Sequence, residues 1–115
     1  ASKYLFEAAK ISDNPFIATL AAQIAYKGGK TETAIAFLSD MYSKVVSKEA
    51  KKSIKKRLDA LQGVLILEKA VERYKMMFGH LPHTLSELID KGIIKEIPQN
   101  PYHTPYYLKD GKVLF

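Results

Sequence analysis

From Ser47 to Phe78 the chain has no proline, and Ile54, Leu58, Leu61, Val64, Leu67, Val71, Tyr74 and Phe78 recur at steps of three and four. That spacing aligns them along one side of an α-helix. Ser47 has the side chain to cap its start. Gly63 falls inside the pattern, where it costs about 1 kcal/mol relative to alanine. The reading is one continuous helix over 48–79, with Gly63 as the place for a bend. The rest of the chain must cover its apolar side.

The segment before it reads as three shorter helices. Leu5, Phe6, Ala8 and Ala9 give an apolar side to a helix over 3–12, which Asp13-Asn14-Pro15 ends. Asn14 is placed to cap the next helix and Pro15 to occupy its first position, where a missing N–H costs nothing. Ile17, Leu20, Ala21, Ile24 and Ala25 then recur at helical spacing up to Gly28-Gly29, a left-handed cap. A third helix starts near Thr31, with Ala34, Ile35, Leu38, Met41, Tyr42 and Val45 as its stripe. The short glycine turn predicts an antiparallel αα-hairpin, and Ala21, Ala22, Ala25 and Ala34 allow close approach.

The character changes after Gly79. Thr84-x-x-Glu87 reads as a capping box opening a helix from Leu85 to Lys91, closed by Gly92. Pro98, Pro101 and Pro105 rule out helix over the tail. Tyr106 to Lys109 and Lys112 to Phe115 flank Asp110-Gly111, a strong two-residue hairpin signal. An isolated hairpin is marginal in water, so the aromatic set Tyr102, Tyr106, Tyr107 and Phe115 is expected to pack on the long helix. The competing reading is an exposed strand edge or aromatic patch for a partner.

The fold class expected is therefore mainly α: an antiparallel helical hairpin, a long helix, and a short helix plus small β-hairpin as a cap. One domain over 1–115 is expected, in sections 3–47, 48–79 and 80–115. The start at Ala1-Ser2, directly in a helical pattern, reads as the C-terminal part of a longer protein. No run of about 18 apolar residues is present, which excludes a helical membrane span in this segment. The absence of cysteine excludes disulfides, thiolate nucleophiles and most structural zinc sites. The net charge of +6 admits nucleic acid, an acidic protein or anionic lipid as partner.

Residues 14–38 carry Asn14-Pro15, Ala22, Tyr26-Lys27, Gly29, Ala34 and Leu38, and in these letters the segment resembles one tetratricopeptide repeat. The large aromatic of that pattern is replaced by Ala18. Residues 67–108 carry Ala70-Val71-x-x-Tyr74, Phe78-Gly79-x-Leu81-Pro82, Leu85-x-x-Leu88, Gly92-x-Ile94 and Ile97-Pro98-x-Asn100-Pro101-Tyr102-x-x-Pro105-Tyr106. This segment resembles the periplasmic part of type II secretion and type IV pilus pseudopilins, and a C-terminal extension of some bacterial repeat proteins. There the closing segment reads Asp-Pro-x-Gly-x-Pro-Tyr; here Asn100 replaces the aspartate and His103 the glycine. The amphiphilic N-terminal anchor and the calcium-binding acidic loop of pseudopilins are missing. The resemblance implies a bacterial source and association with envelope machinery.

Few residues suggest chemistry. His80, His83 and His103 read as turn and loop polar residues rather than a metal site. Glu68, Glu72, Glu87 and Asp90 lie among lysines on helix surfaces, where solvation explains them. Gly28-Gly29-Lys30-Thr31 lacks the first glycine and the strand of a phosphate loop. No catalytic, cofactor or metal residue is expected, and no enzymatic activity. The prominent polar feature is a cationic face with Lys48, Lys51, Lys52, Lys55 and Lys56 on one side of the long helix. It reads first as a solvated face, and second as a contact for phosphate or an acidic partner. Two arginines and no interleaved aromatics weigh against nucleic acid. The expected function is protein or peptide binding through a groove of stacked helices, with Ala18, Ala22 and Ala25 on its face and Lys27 and Lys30 at its rim. One alternative is a pseudopilin-like structural subunit, self-associating through the long helix; another is nucleic-acid binding through the lysines.

Overall fold

The structure is a computed structural model. It describes the backbone of residues 15–115 and the side chains from Thr19 onward, so the expected helix over 3–12, the Asn14 cap and the side chains of Ile17 and Ala18 lie outside the described residues. Four helices and two strands follow in order: α1 (Pro15–Lys27), α2 (Thr31–Lys44), α3 (Lys48–Phe78), α4 (Ser86–Asp90), β1 (Tyr107–Lys109) and β2 (Lys112–Leu114). The protein is mainly α with a small antiparallel β-hairpin, as the periodicity and the Asp-Gly turn predict.

Two compact units divide these elements, the first ending at Leu61 and the second spanning Gln62–Phe115. The division falls inside α3, whereas the sequence places its section boundaries at the ends of that helix. In the first unit α1 and α2 pack together. The turn between them is a Schellman motif: the Lys30 N–H donates to the Ala25 carbonyl at 2.9 Å and the Gly29 N–H to that of Tyr26 at 3.0 Å. Gly29 has φ +81°, the left-handed conformation that this cap requires. Ala21, Ala22, Ala25, Ala34, Leu38 and Met41 are buried. Phe37 and Thr31 are buried too, although the stripe read from the sequence omits them. Leu20, assigned to the apolar side, is 42% exposed; it stands next to that side and ends in solvent.

Helix α3 starts as expected. The Ala50 N–H donates to Ser47 Oγ at 3.3 Å, satisfying one of the donors that every helix start leaves open. The helix is continuous through Gly63. Ile54, Leu58 and Leu61 are buried in the first unit, and Val64, Leu67, Val71 and Tyr74 in the second. Phe78 at the C-terminal end is 40% exposed, so the stripe stops one step earlier than the sequence suggests.

In the second unit α4 is shorter than predicted, and the expected capping box is not made. The Glu87 carboxylate accepts from the His83 N–H at 2.8 Å rather than from that of Thr84. The Thr84 hydroxyl pairs with that of Ser86 at 3.0 Å. A Schellman pair, Ile93 N–H to Leu88 carbonyl and Gly92 N–H to Ile89 carbonyl, closes the helix. The hairpin pairs Tyr107 with Leu114, Leu108 with Val113 and Lys109 with Lys112. Asp110 (φ 53°) and Gly111 (φ 78°) both adopt positive φ, the requirement of a type I′ turn that matches the strand twist.

Tyr106 fixes this unit together. It is buried and reaches the backbone of α3: a Cβ on Gly63 would collide with the Tyr106 hydroxyl and lie 2.8 Å from its Cζ. The glycine that weakens the helix locally is what lets the tyrosine approach. The Phe115 ring lies 5.9 Å from the Tyr106 ring, edge-on, and 6.1 Å from the Tyr102 ring, stacked. Tyr107 departs from the expected aromatic set. Strand side chains alternate, so its neighbour Leu108 turns inward and Tyr107 stays exposed.

Candidate functional site

Of the face expected to bind a partner, Ala18 lies outside the described residues, and the two described alanines are buried. Ala22 is fully buried and Ala25 is 3% exposed. Alanines that permit close packing are consumed by that packing, so they leave no surface for a ligand. Lys27 and Lys30 are exposed beside the Gly28-Gly29 turn, without the apolar face that they were expected to rim.

The cationic face of α3 is present in part. Lys48, Lys52, Lys55 and Lys56 are exposed. Lys51 is half-buried and turned toward α2: its Nζ donates to the Tyr42 carbonyl at 2.7 Å and stands 4.6 Å from the centre of the Tyr42 ring. Tyr42 lies in the last turn of α2, where carbonyls lack intrahelical partners and a cation is favoured. Lys51 therefore acts as a C-terminal cap joining two helices. Lys55 pairs with Asp59 one turn on, at 3.4 Å. An exposed pair of this kind contributes little stability, but it lowers the net charge of the face.

The three histidines occupy separate settings. His80 Nδ1 is 3.1 Å from the Leu81 carbonyl, and its ring meets Tyr74 edge-on at 5.5 Å. His83 Nδ1 lies 3.7 Å from Glu87. His103 is exposed in the tail with φ 61°. Among the described residues, no group of three or more histidines and carboxylates is arranged to hold a metal ion. Burial first, and the Glu87 carboxylate second, hold the Tyr74 hydroxyl above the usual phenol range.

The tail is organised by Asn100, a buried polar residue. Its Nδ2 donates to the Thr104 carbonyl at 2.9 Å and lies 2.8 Å from the Thr104 hydroxyl, and its Oδ1 accepts from the Tyr102 N–H at 3.1 Å. A concavity of about 410 Å³ runs along this loop, between Ile97, Asn100, His103 and Tyr106.

A second concavity was not anticipated from the sequence. Ile66, Lys69, Ala70 and Arg73 of α3 meet Ile93 and Ile94, which follow α4, around a groove of about 250 Å³. Ala70 is buried and forms its floor, Ile93 and Ile94 are half-buried, and Ile66 is 52% exposed. One signal pointed to it: Ile66 stands apart from the Val64, Leu67 and Val71 stripe, on the side of the helix that carries Lys69 and Arg73. Comparison of the chain with protein-family models, curated proteins and solved structures finds no match. Among the described residues no helix is long and apolar enough to cross a membrane.

Proposed function

We propose that this chain is a non-catalytic protein-binding region, the terminal part of a bacterial tetratricopeptide-like protein associated with the cell envelope. The observation that carries the binding reading is the apolar surface of the second unit, where Ile66, Met76, Met77, Leu81 and Tyr107 are exposed. Met76 and Met77 adjoin at the C-terminal end of α3, and contiguous exposed apolar surface marks interaction sites in folded proteins. The helical hairpin α1–α2 with its glycine turn supports the tetratricopeptide-like part of the reading. The test is site-specific photo-crosslinking in bacteria, with the crosslinker at Met76, Met77 or Tyr107. A protein adduct of one mass is expected, and nucleic-acid adducts alone, or none, would refute protein binding.

A second reading, a pseudopilin-like structural subunit, draws support from the tail. His103 takes the place of the glycine in the resembling pattern, and its φ is left-handed, the conformation that favours glycine. Self-association of the intact protein through α3, measured by sedimentation, tests it; a monomer at all concentrations removes it. Nucleic-acid binding draws less support, because Lys51 is spent on the Tyr42 carbonyl.

A further inference from the structure

We infer that the groove between α3 and Ile93-Ile94 receives an acidic peptide segment of another protein, with one large aliphatic side chain flanked by carboxylates. The inference rests on the protein-binding reading above and names the site and the chemistry of the partner. Its walls are aliphatic: Ile66, Ile93 and Ile94, over Ala70. At about 250 Å³ it falls below the roughly 300–1,000 Å³ of small-molecule pockets and suits one or two side chains of a peptide. It has no aromatic ring on which a nucleotide base could stack.

Charge selects the occupant. Both charged residues lining the groove are cations, Lys69 and Arg73, four apart on one helix and hence neighbours on one face. Both are exposed, and among the described residues neither belongs to an ion pair. An arginine fork grips a carboxylate through two hydrogen bonds, and a lysine one turn away attracts a second. The apolar walls remove water from one side of these contacts and strengthen them. A second copy of this chain is disfavoured as occupant, since the net charge is +6 and like-charged chains repel.

The experiment is a methyl and amide NMR titration of the 115-residue chain with a synthetic peptide. The peptide has about twelve residues, a central leucine and glutamates one turn to either side; its analogue carries glutamine for glutamate. Saturable shifts at Ile66, Ala70, Ile93 and Ile94 are expected. Affinity should fall about tenfold or more, about 1.4 kcal/mol or more, with the glutamine analogue and with the Lys69→Glu/Arg73→Glu variant. The analogue tests the charge requirement on the unaltered protein, whatever the variant does to folding. Equal binding of the two peptides, or no shift at all, would overturn the inference. Shifts confined to Lys48–Lys56 would overturn the groove and leave the protein-binding reading standing, whereas the crosslinking experiment judges that reading by itself.

Discussion

Gly29 in the first unit and Gly63 in the second serve opposite purposes. Gly29 is needed for its backbone: φ is +81°, and a Cβ there would meet nothing within 4 Å. Gly63 sits in an ordinary helix, and a Cβ there would collide with Tyr106. The first unit is closed by a rule of a few neighbouring residues, the Schellman turn. The second is closed by a contact between residues more than forty positions apart, for which the helix accepts a poor helix former. Turn chemistry can be read along a chain, whereas close approach of a distant ring cannot.

Substitution at the two glycines separates these roles. Gly63→Ala should destabilise the chain by about 3 kcal/mol, the upper end for overpacking a tight contact. In a Tyr106→Ala background the same change should stabilise by about 1 kcal/mol, because only helix propensity then acts. Denaturant unfolding of the four proteins of this cycle measures the reversal, and a cost independent of residue 106 would break the comparison. Gly29→Ala should cost about 1 kcal/mol, with no distant residue able to relieve it.

Asn100→Ala should cost about 2 kcal/mol, because the Tyr102 N–H and the Thr104 carbonyl lose a buried partner. Asn100→Asp retains the acceptor for Tyr102 but turns a carboxylate toward the Thr104 carbonyl, and it should be destabilising as well. A rise in melting temperature with aspartate would show that the tail relies on a different network.

His103→Gly should stabilise by about 0.5–1 kcal/mol, by relieving a side chain held at φ 61°. A loss of stability would show that the imidazole makes a contact worth more than the strain.

The smallest effect concerns Tyr74. Its folded-state pKa is raised by burial and then by Glu87. The folded state therefore favours the protonated phenol, and the associated stability is fully present below the unfolded value near 10. It is lost as pH rises from there through the folded value. Tyr74→Phe should leave the neutral-pH melting temperature little changed and flatten its decline above about pH 10. Parallel declines in the two proteins would remove Tyr74 as the cause.

Much of the fold was legible. Ser47 caps α3, the glycines close α1 and α4, and Asp110-Gly111 turns the hairpin, each from a handful of adjacent letters. The candidate sites were less legible. The face of Ala22 and Ala25 became packing, and Lys51 left the cationic face for the end of α2. Lys69 and Arg73, which the sequence did not single out, line a groove whose other wall lies some twenty residues further on.

Periodicity, capping letters and turn residues were enough to assign a mainly helical chain with a closing β-hairpin, because backbone hydrogen bonding and steric preference act over three to five residues. Which apolar face is consumed, which lysine turns inward and why a glycine interrupts the longest helix depended on packing between distant segments. Those contacts arise only when the chain closes on itself, and no short window of residues contains both partners.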